Sequence, residues 1–265
     1  MMEWWLGYAA VGAAVGFFAG LLGIGGGAIM VPLLVMLFEA QGLPKAYILH
    51  LAVGTGMVSI LFTSLSSMRA HAVRGVVRWD LALALTPGIL IGGLLGSAIT
   101  AWISTQLFAT LFTAVVFFAA TNILIDRKPK PSRQLPGALG SMLVGVVIGF
   151  VSTLAALGGA FLTIPFALYC NVTLLQAIGT AAIVGFPIAL AGGVGFVVAG
   201  WGQSGLPPHS IGYVYLPAVL GITLASVLTA PLGAAAAHRL PTKRLKQVFA
   251  LLLYGLAAKM LVSLW

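Results

Sequence analysis

Three consecutive glycines, Gly25-Gly26-Gly27, preceded by Gly23-Ile24, make the strongest local signal in the sequence, and Leu157-Gly158-Gly159-Ala160 is a partial copy of it. A run of glycines breaks a helix, and the break frees backbone N–H groups that helical bonding would otherwise occupy. With the positive end of the half-helix that follows, such N–H groups can hold an anion. Gly25, Gly26, Gly27, Gly158 and Gly159 are therefore the candidate substrate-binding backbone. Close helix packing in lipid, or a plain hairpin tip, would call for the same residue type, and both roles stay open for each single glycine. Gly23 to Ala28 also fits a loose dinucleotide fingerprint, but that motif needs a preceding strand in a βαβ unit, and long apolar runs flank this one.

Two threonines add candidate side-chain donors. Thr55 in Val53-Gly54-Thr55 and Thr180 in Ile178-Gly179-Thr180 each follow a glycine in corresponding segments. A membrane threonine ordinarily bonds a carbonyl of its own helix, and recurrence in both halves is what raises the binding role. His50 and His71 flank one apolar segment and are the candidate proton carriers, although a histidine near a loop is more often simply solvated. The four acids, Glu3, Glu39, Asp80 and Asp126, all fall near segment ends, so no buried carboxylate relay is expected. No clustering of His, Cys or acid suggests a metal, no nucleophile–base pattern suggests catalysis, and no cofactor is implied. The chain reads as a non-enzyme.

The elements that must position these residues are set by composition. Hydrophobic residues make up 61% of the 265 positions and charged ones 6%, too few to coat a water-facing surface. Lipid must solvate such a chain, and in lipid its long unbroken apolar runs must be helices that satisfy their own backbone. Ten apolar segments are expected, at about 6–22, 27–40, 46–68, 81–103, 106–125, 138–157, 160–170, 173–200, 210–237 and 245–264. All six tryptophans (Trp4, Trp5, Trp79, Trp102, Trp201 and Trp265) stand at or beside segment ends, as an interfacial belt requires. The lone Cys170 excludes an internal disulfide. The acid Glu3 near the start argues for a permanent first segment rather than a cleaved signal.

The net charge of +9 sits in three short gaps: Arg69, Arg74 and Arg78; Arg127, Lys128, Lys130 and Arg133; Arg239, Lys243, Arg244 and Lys246. That is the pattern of cytoplasmic loops, not of a nucleic-acid-binding face. Between these loops each stretch must cross the membrane an even number of times, so 138–157 with 160–170, and 6–22 with 27–40, become hairpins. Segment 46–68 then descends where 173–200 ascends. The halves also repeat. At a constant offset of 133, Gly16-Phe17, Leu21, Gly25-Gly26 and Pro32 answer Gly149-Phe150, Leu154, Gly158-Gly159 and Pro165. The expected fold is an all-α polytopic helical bundle of two inverted repeats, each opening with a glycine-broken hairpin. Residues 1–126 form the first repeat, 127–136 a basic cytoplasmic linker and 137–265 the second.

Gly16-Phe17 through Gly23-Ile24-Gly25-Gly26-Gly27 to Val31-Pro32 resembles the opening of the TauE/SafE sulfite and organosulfonate exporter family. Val53-Gly54-Thr55, Arg69-Ala70-His71 leading to Arg74-Gly75, Val77 and Trp79, and Pro231-Leu232-Gly233 through His238-Arg239-Leu240 to Lys243-Arg244-Leu245 are similar to further family motifs. The resemblance covers nearly the whole chain. It implies a multi-pass carrier in a bacterial inner membrane that moves sulfite, thiosulfate, sulfoacetate or another sulfonate. Its partners would be a small anion and the bilayer, with no nucleic acid and with homo-oligomerisation open. A passive anion channel and a non-transporting subunit of a larger complex are the alternatives. With the basic loops inside, both termini and the Gly200–Ser210 loop are expected in the periplasm. Ser204→Cys should accept an impermeant thiol reagent from outside in intact cells, and labelling from the cytoplasmic side alone would overturn the orientation.

Overall fold

The computed structural model describes residues 2–22, 26–73, 75–125, 134–237 and 242–265. Gly23, Ile24, Gly25, Arg74, the linker residues 126–133 and residues 238–241 lie outside the described residues. Among those described, ten helices follow one another: α1 (Met2–Leu22), α2 (Gly27–Ala40), α3 (Ile48–Val73), α4 (Trp79–Thr100), α5 (Thr105–Ile125), α6 (Ala138–Leu154), α7 (Ala160–Tyr169), α8 (Leu174–Ala199), α9 (Leu216–Ala237) and α10 (Thr242–Leu264). The expected segments are recovered nearly in place, because each apolar run can close its backbone only upon itself.

Two departures have local causes. The stretch expected as 210–237 becomes helical only at Leu216, after a two-stranded antiparallel ribbon, β1 (Ser210–Ile211) and β2 (Val214–Tyr215). Gly212 turns the ribbon at φ +53°, and a Cβ there would lie 2.1 Å from the Val197 carbonyl oxygen, so no side chain fits. The helix expected to stop at 68 continues to Val73, carrying Arg69 and His71 as an extension.

Six helices are long and apolar enough to cross a membrane among the described residues: α3, α4, α5, α8, and the stretches Leu216–Gly233 of α9 and Gln247–Leu264 of α10. The protein is a multi-pass membrane protein. Helix α7 is different. Its ten residues rise about 15 Å, half of the roughly 30 Å hydrocarbon layer, so it can enter the layer but not cross it. The outward surface is apolar, with Leu83, Leu94 and Leu95 of α4, Leu139 and Leu143 of α6 and Leu224 and Leu228 of α9 all exposed. Only lipid suits such a surface. Trp102, Trp201 and Trp265 are largely exposed at one end and Trp79 at the other, as two interfacial belts require.

Two helix pairs pack most closely, α1 with α9 and α4 with α6. Both rely on glycine, since lipid gives helices no hydrophobic reason to associate and close backbone approach supplies the contact instead. On α1, a Cβ at Gly12 would lie 2.4 Å from the Ile222 carbonyl oxygen, and one at Gly16 would lie 2.4 Å from that of Ser226. On α6, a Cβ at Gly145 would meet the Leu85 oxygen at 2.3 Å, and one at Gly149 the Ile89 oxygen at 2.3 Å. Helix α4 reciprocates, with Gly92 against the Val146 oxygen. Backbone atoms cannot yield as a flexible side chain can. Gly92→Ala or Gly149→Ala should therefore cost about 2 kcal/mol or more, read as a lower melting temperature in detergent. Gly255→Ala, where nothing lies within 4 Å, should be neutral or stabilising by up to about 1 kcal/mol.

Candidate functional site

The two glycine breaks meet. Gly26 ends the first break and precedes α2, its carbonyl accepting from Met30 N–H at 2.9 Å. Gly27, at the start of α2, lies so close to the second break that a Cβ there would stand 1.8 Å from the Ala156 carbonyl oxygen. The second break runs from Ala155 to Gly159. Ala156 has φ +48°, a left-handed conformation that a residue with a Cβ adopts only at a cost. Gly158 and Gly159 are buried and lead into α7. A Cβ at Gly159 would lie 2.7 Å from the Ala181 oxygen and 2.9 Å from the Gly185 nitrogen, so this break is seated on the middle of α8. The first is seated against α3, where Ile60 touches the place of a Gly27 side chain. Pro32 and Pro165 sit inside α2 and α7 rather than ending them. Gly25 lies outside the described residues.

Thr55 and Thr180 are fully buried, and each hydroxyl oxygen accepts from a backbone N–H of the other half. Thr55 Oγ1 accepts from the backbone N–H of Tyr215 at 3.0 Å, immediately before α9. Thr180 Oγ1 accepts from the N–H of Arg78 at 3.1 Å, immediately before α4. The glycine before each threonine makes room for the same segment, Gly54 against the Tyr213 carbonyl and Gly179 against that of Val76. Each Gly-Thr pair thus caps the start of a helix in the other half of the chain. Thr55 sits at the end of the bundle where α2 gives way to α3, and Thr180 at the end marked by Arg78.

The histidines lie at opposite ends of α3. His50 is 4% exposed, with its ring between Tyr213 and Phe108 and its Nε2 2.9 Å from the Thr100 carbonyl oxygen. His71 is half-buried in the last turn. At that same end Arg78 is held by a two-pronged ion pair to Asp80, with Nη2 to Oδ2 at 2.6 Å and Nε to Oδ1 at 2.8 Å. Neither carboxylate nor guanidinium is buried, so the pair steadies the start of α4 and adds little energy.

Three hydroxyls escaped the sequence reading. Ser152 and Thr153 end α6 at the lip of the second break, and Thr163 stands one turn into α7. All three are buried, and among the described residues none of their oxygens has a hydrogen-bond partner. A buried hydroxyl without a partner is costly and calls for an explanation, of which a ligand is one. In sequence they look like any membrane Ser or Thr. The run Ser152-Thr153 directly before a glycine break was the available signal.

The family model for the sulfite exporter TauE/SafE matches residues 8–260. The chain belongs to the TauE/SafE family. A probable membrane transporter protein of Haemophilus influenzae is 35% identical over 96% of both chains. The probable membrane transporter protein YdhB of Bacillus subtilis is 26% identical over 71% of this chain and 76% of its own. A probable membrane transporter protein of Methanocaldococcus jannaschii is 26% identical over 89% of this chain and 87% of its own. No solved structure matches the chain. Its family and its fold together make the protein a membrane transporter.

The contact between the breaks makes a paired stability prediction. Gly27→Ala forces a Cβ into the Ala156 carbonyl and should cost about 1–3 kcal/mol. Ala156→Gly removes the left-handed strain and should add about 1 kcal/mol. Thermal unfolding of the purified variants checks both signs.

Proposed function

We propose that the protein is an inner-membrane secondary carrier that exports a small sulfur-containing anion such as sulfite, thiosulfate, sulfoacetate or another organosulfonate, binding it where the two hairpin breaks face each other. The observation that carries this reading is the contact of Gly27 with Ala156 in the second break, which leads on its two sides to the unpartnered buried hydroxyls of Ser152 in α6 and Thr163 in α7. Gly26, Gly27, Gly158 and Gly159 supply the backbone cradle, and Gly25 belongs to the same run. Ser152 and Thr163 supply O–H donors. A sulfite or sulfonate group offers acceptor oxygens and no obligatory donor, which suits such a lining. Thr55 and Thr180 hold the starts of α9 and α4 through their oxygens and keep their O–H groups as candidate donors.

An inverted repeat supports alternating access around this junction. The close contacts of Gly12 and Gly16 with α9 correspond to those of Gly145 and Gly149 with α4, and the Thr55–Tyr215 cap corresponds to the Thr180–Arg78 cap. The first helix of each half packs on the fourth helix of the other, α1 on α9 and α6 on α4, an exchange that lets one half rock against its twin. With the basic loops in the cytoplasm and the termini in the periplasm, α2 and α7 approach the midplane from opposite faces.

An inside-negative potential drives an anion outward by about 2.3 kcal/mol per charge per 100 mV. Export therefore needs no coupled ion, in keeping with Glu39 and Asp80 at helix ends among the described residues, and His50 and His71 are the remaining candidates for proton coupling. In proteoliposomes, efflux of labelled sulfite or sulfoacetate should saturate, show counterflow, and rise with a valinomycin-set inside-negative potential at equal pH. Combined Ser152→Ala and Thr163→Val should lower that flux about tenfold or more by removing two donors. Flux that follows a proton gradient and ignores voltage would replace the uniport with histidine-coupled transport. Absence of saturation would point to a channel.

A further inference from the structure

A polar cavity of about 540 Å³ opens at the end of the bundle opposite Arg69 and Arg78, with Tyr47, His50, Gln203 and Tyr213 in its lining. Its inward side is shut by rings. The Tyr213 ring centroid lies 6.0 Å from that of Tyr47 and 5.0 Å from that of His50. His50 in turn lies 5.1 Å from Phe108, which stacks on Phe196 at 6.4 Å. From Tyr213 inward, each of these residues is at most 4% exposed. The stack joins the ribbon to α3, α5 and α8. Beyond it, α3 runs about 15 Å from His50 to Ile60, which touches the first break.

The connection over this cavity differs between the halves. α3 ends at Val73 and α4 starts at Trp79, whereas α8 ends at Ala199 and α9 starts at Leu216. Tyr213 and Val76 hold matching places, each with its carbonyl pressed on the glycine before a capping threonine. An aromatic ring and a longer loop therefore stand at this end where a valine and a short loop stand at the other.

Part of that longer loop is anchored. Tyr213 N–H donates to the Phe196 carbonyl at 3.1 Å, Leu216 N–H donates to that of His209 at 3.2 Å, and Pro207 is buried. Residues 201–205 are exposed instead. Gly202 and Gly205 take φ +75° and +87°, and a Cβ at either would meet nothing within 4 Å. Among the described residues, this flap is tied across to the α2–α3 loop by Gln203, whose Nε2 donates to the Tyr47 hydroxyl at 2.8 Å. The bond is exposed, so water competes for both groups and it is readily broken and remade. Its acceptor is the outermost ring of the stack.

We propose that the flap 201–205 and the Tyr47–Tyr213 ring pair form the outer gate of the transport path, with the Gln203–Tyr47 hydrogen bond as its latch. The proposal rests on the carrier reading and adds which end moves. Latched, the rings bar the way inward from the cavity. Released, Tyr47 swings out with the flap, the Tyr213 ring turns off His50, and a way opens along α3 toward the hairpin junction.

Gly56 offers a reporter. It is buried one turn before Ile60, and a Cβ there would make ordinary contact with Met30 and Val31 of α2 at 3.6 Å. In a Cys170→Ala background, which removes the one native thiol, Gly56→Cys is labelled from outside with sulfonatoethyl methanethiosulfonate, a small impermeant anion. Adding Tyr47→Phe or Gln203→Ala removes one side of the latch and should speed labelling ~5-fold, the worth of one exposed hydrogen bond. Tyr47→Phe keeps the ring, so its melting temperature should stay near that of the parent. In a second arm, Tyr47→Cys and Gln203→Cys are joined by a reducible bis-methanethiosulfonate in proteoliposomes. Anion flux should fall ~10-fold and return on reduction, as for any lid that must open once per cycle. Unchanged labelling in both folded latch variants, or full flux through the crosslinked protein, overturns the gate. Labelling is read without substrate. Latch-dependent labelling in a protein that carries no sulfur anion therefore strikes the carrier reading and upholds the gate, and full flux through the crosslinked protein strikes the gate alone.

Discussion

In hydrocarbon, a backbone group that leaves its helix must find a partner inside the protein, and the rest of this structure follows from that constraint. Non-helical backbone precedes α2 at Gly26 and α7 at Ala155 to Gly159, and these described residues are packed on protein. Gly27 is pressed on the Ala156 carbonyl, Gly159 on the backbone of α8, and α3 covers the first break through Ile60. Glycine is needed for a physical reason at each point, since a Cβ would stand closer to a neighbouring backbone than real atoms do.

The same economy holds the bundle around the breaks. Helices that already share apolar surroundings gain by van der Waals contact and must come close to gain much. The glycine faces of α1 and α6 provide that approach against α9 and α4. Close packing of this kind relaxes at the second break, where Ala156 holds a left-handed backbone between α6 and α7.

Polar chemistry is otherwise distributed by end. Arg69, Arg78 and Asp80 mark one end, and Lys45, His50 and Tyr213 line a cavity at the other. Between them the helices expose leucine and isoleucine to lipid.

Helix number, approximate bounds and membrane character were legible because they depend on local properties, namely apolar run length and the obligation of each run to satisfy its own backbone. The ribbon at 210–215 was not, because Ser210 to Tyr215 is as apolar as a helix start and its turn depends on Gly212 fitting against Val197 in another segment. The Thr55 and Thr180 hydroxyls likewise could be assigned only once Tyr215 and Arg78, far off in the chain, were seen to donate to them. Ser152, Thr153 and Thr163 became distinctive through what does not surround them, and His50 through the loss of every partner for one ring nitrogen. Sequence alone determined which segments enter the membrane, since that is settled residue by residue against lipid. Tertiary structure decided which polar atoms remain unsatisfied, because a hydrogen bond is a property of two groups and the chain brings the second one from more than a hundred residues away.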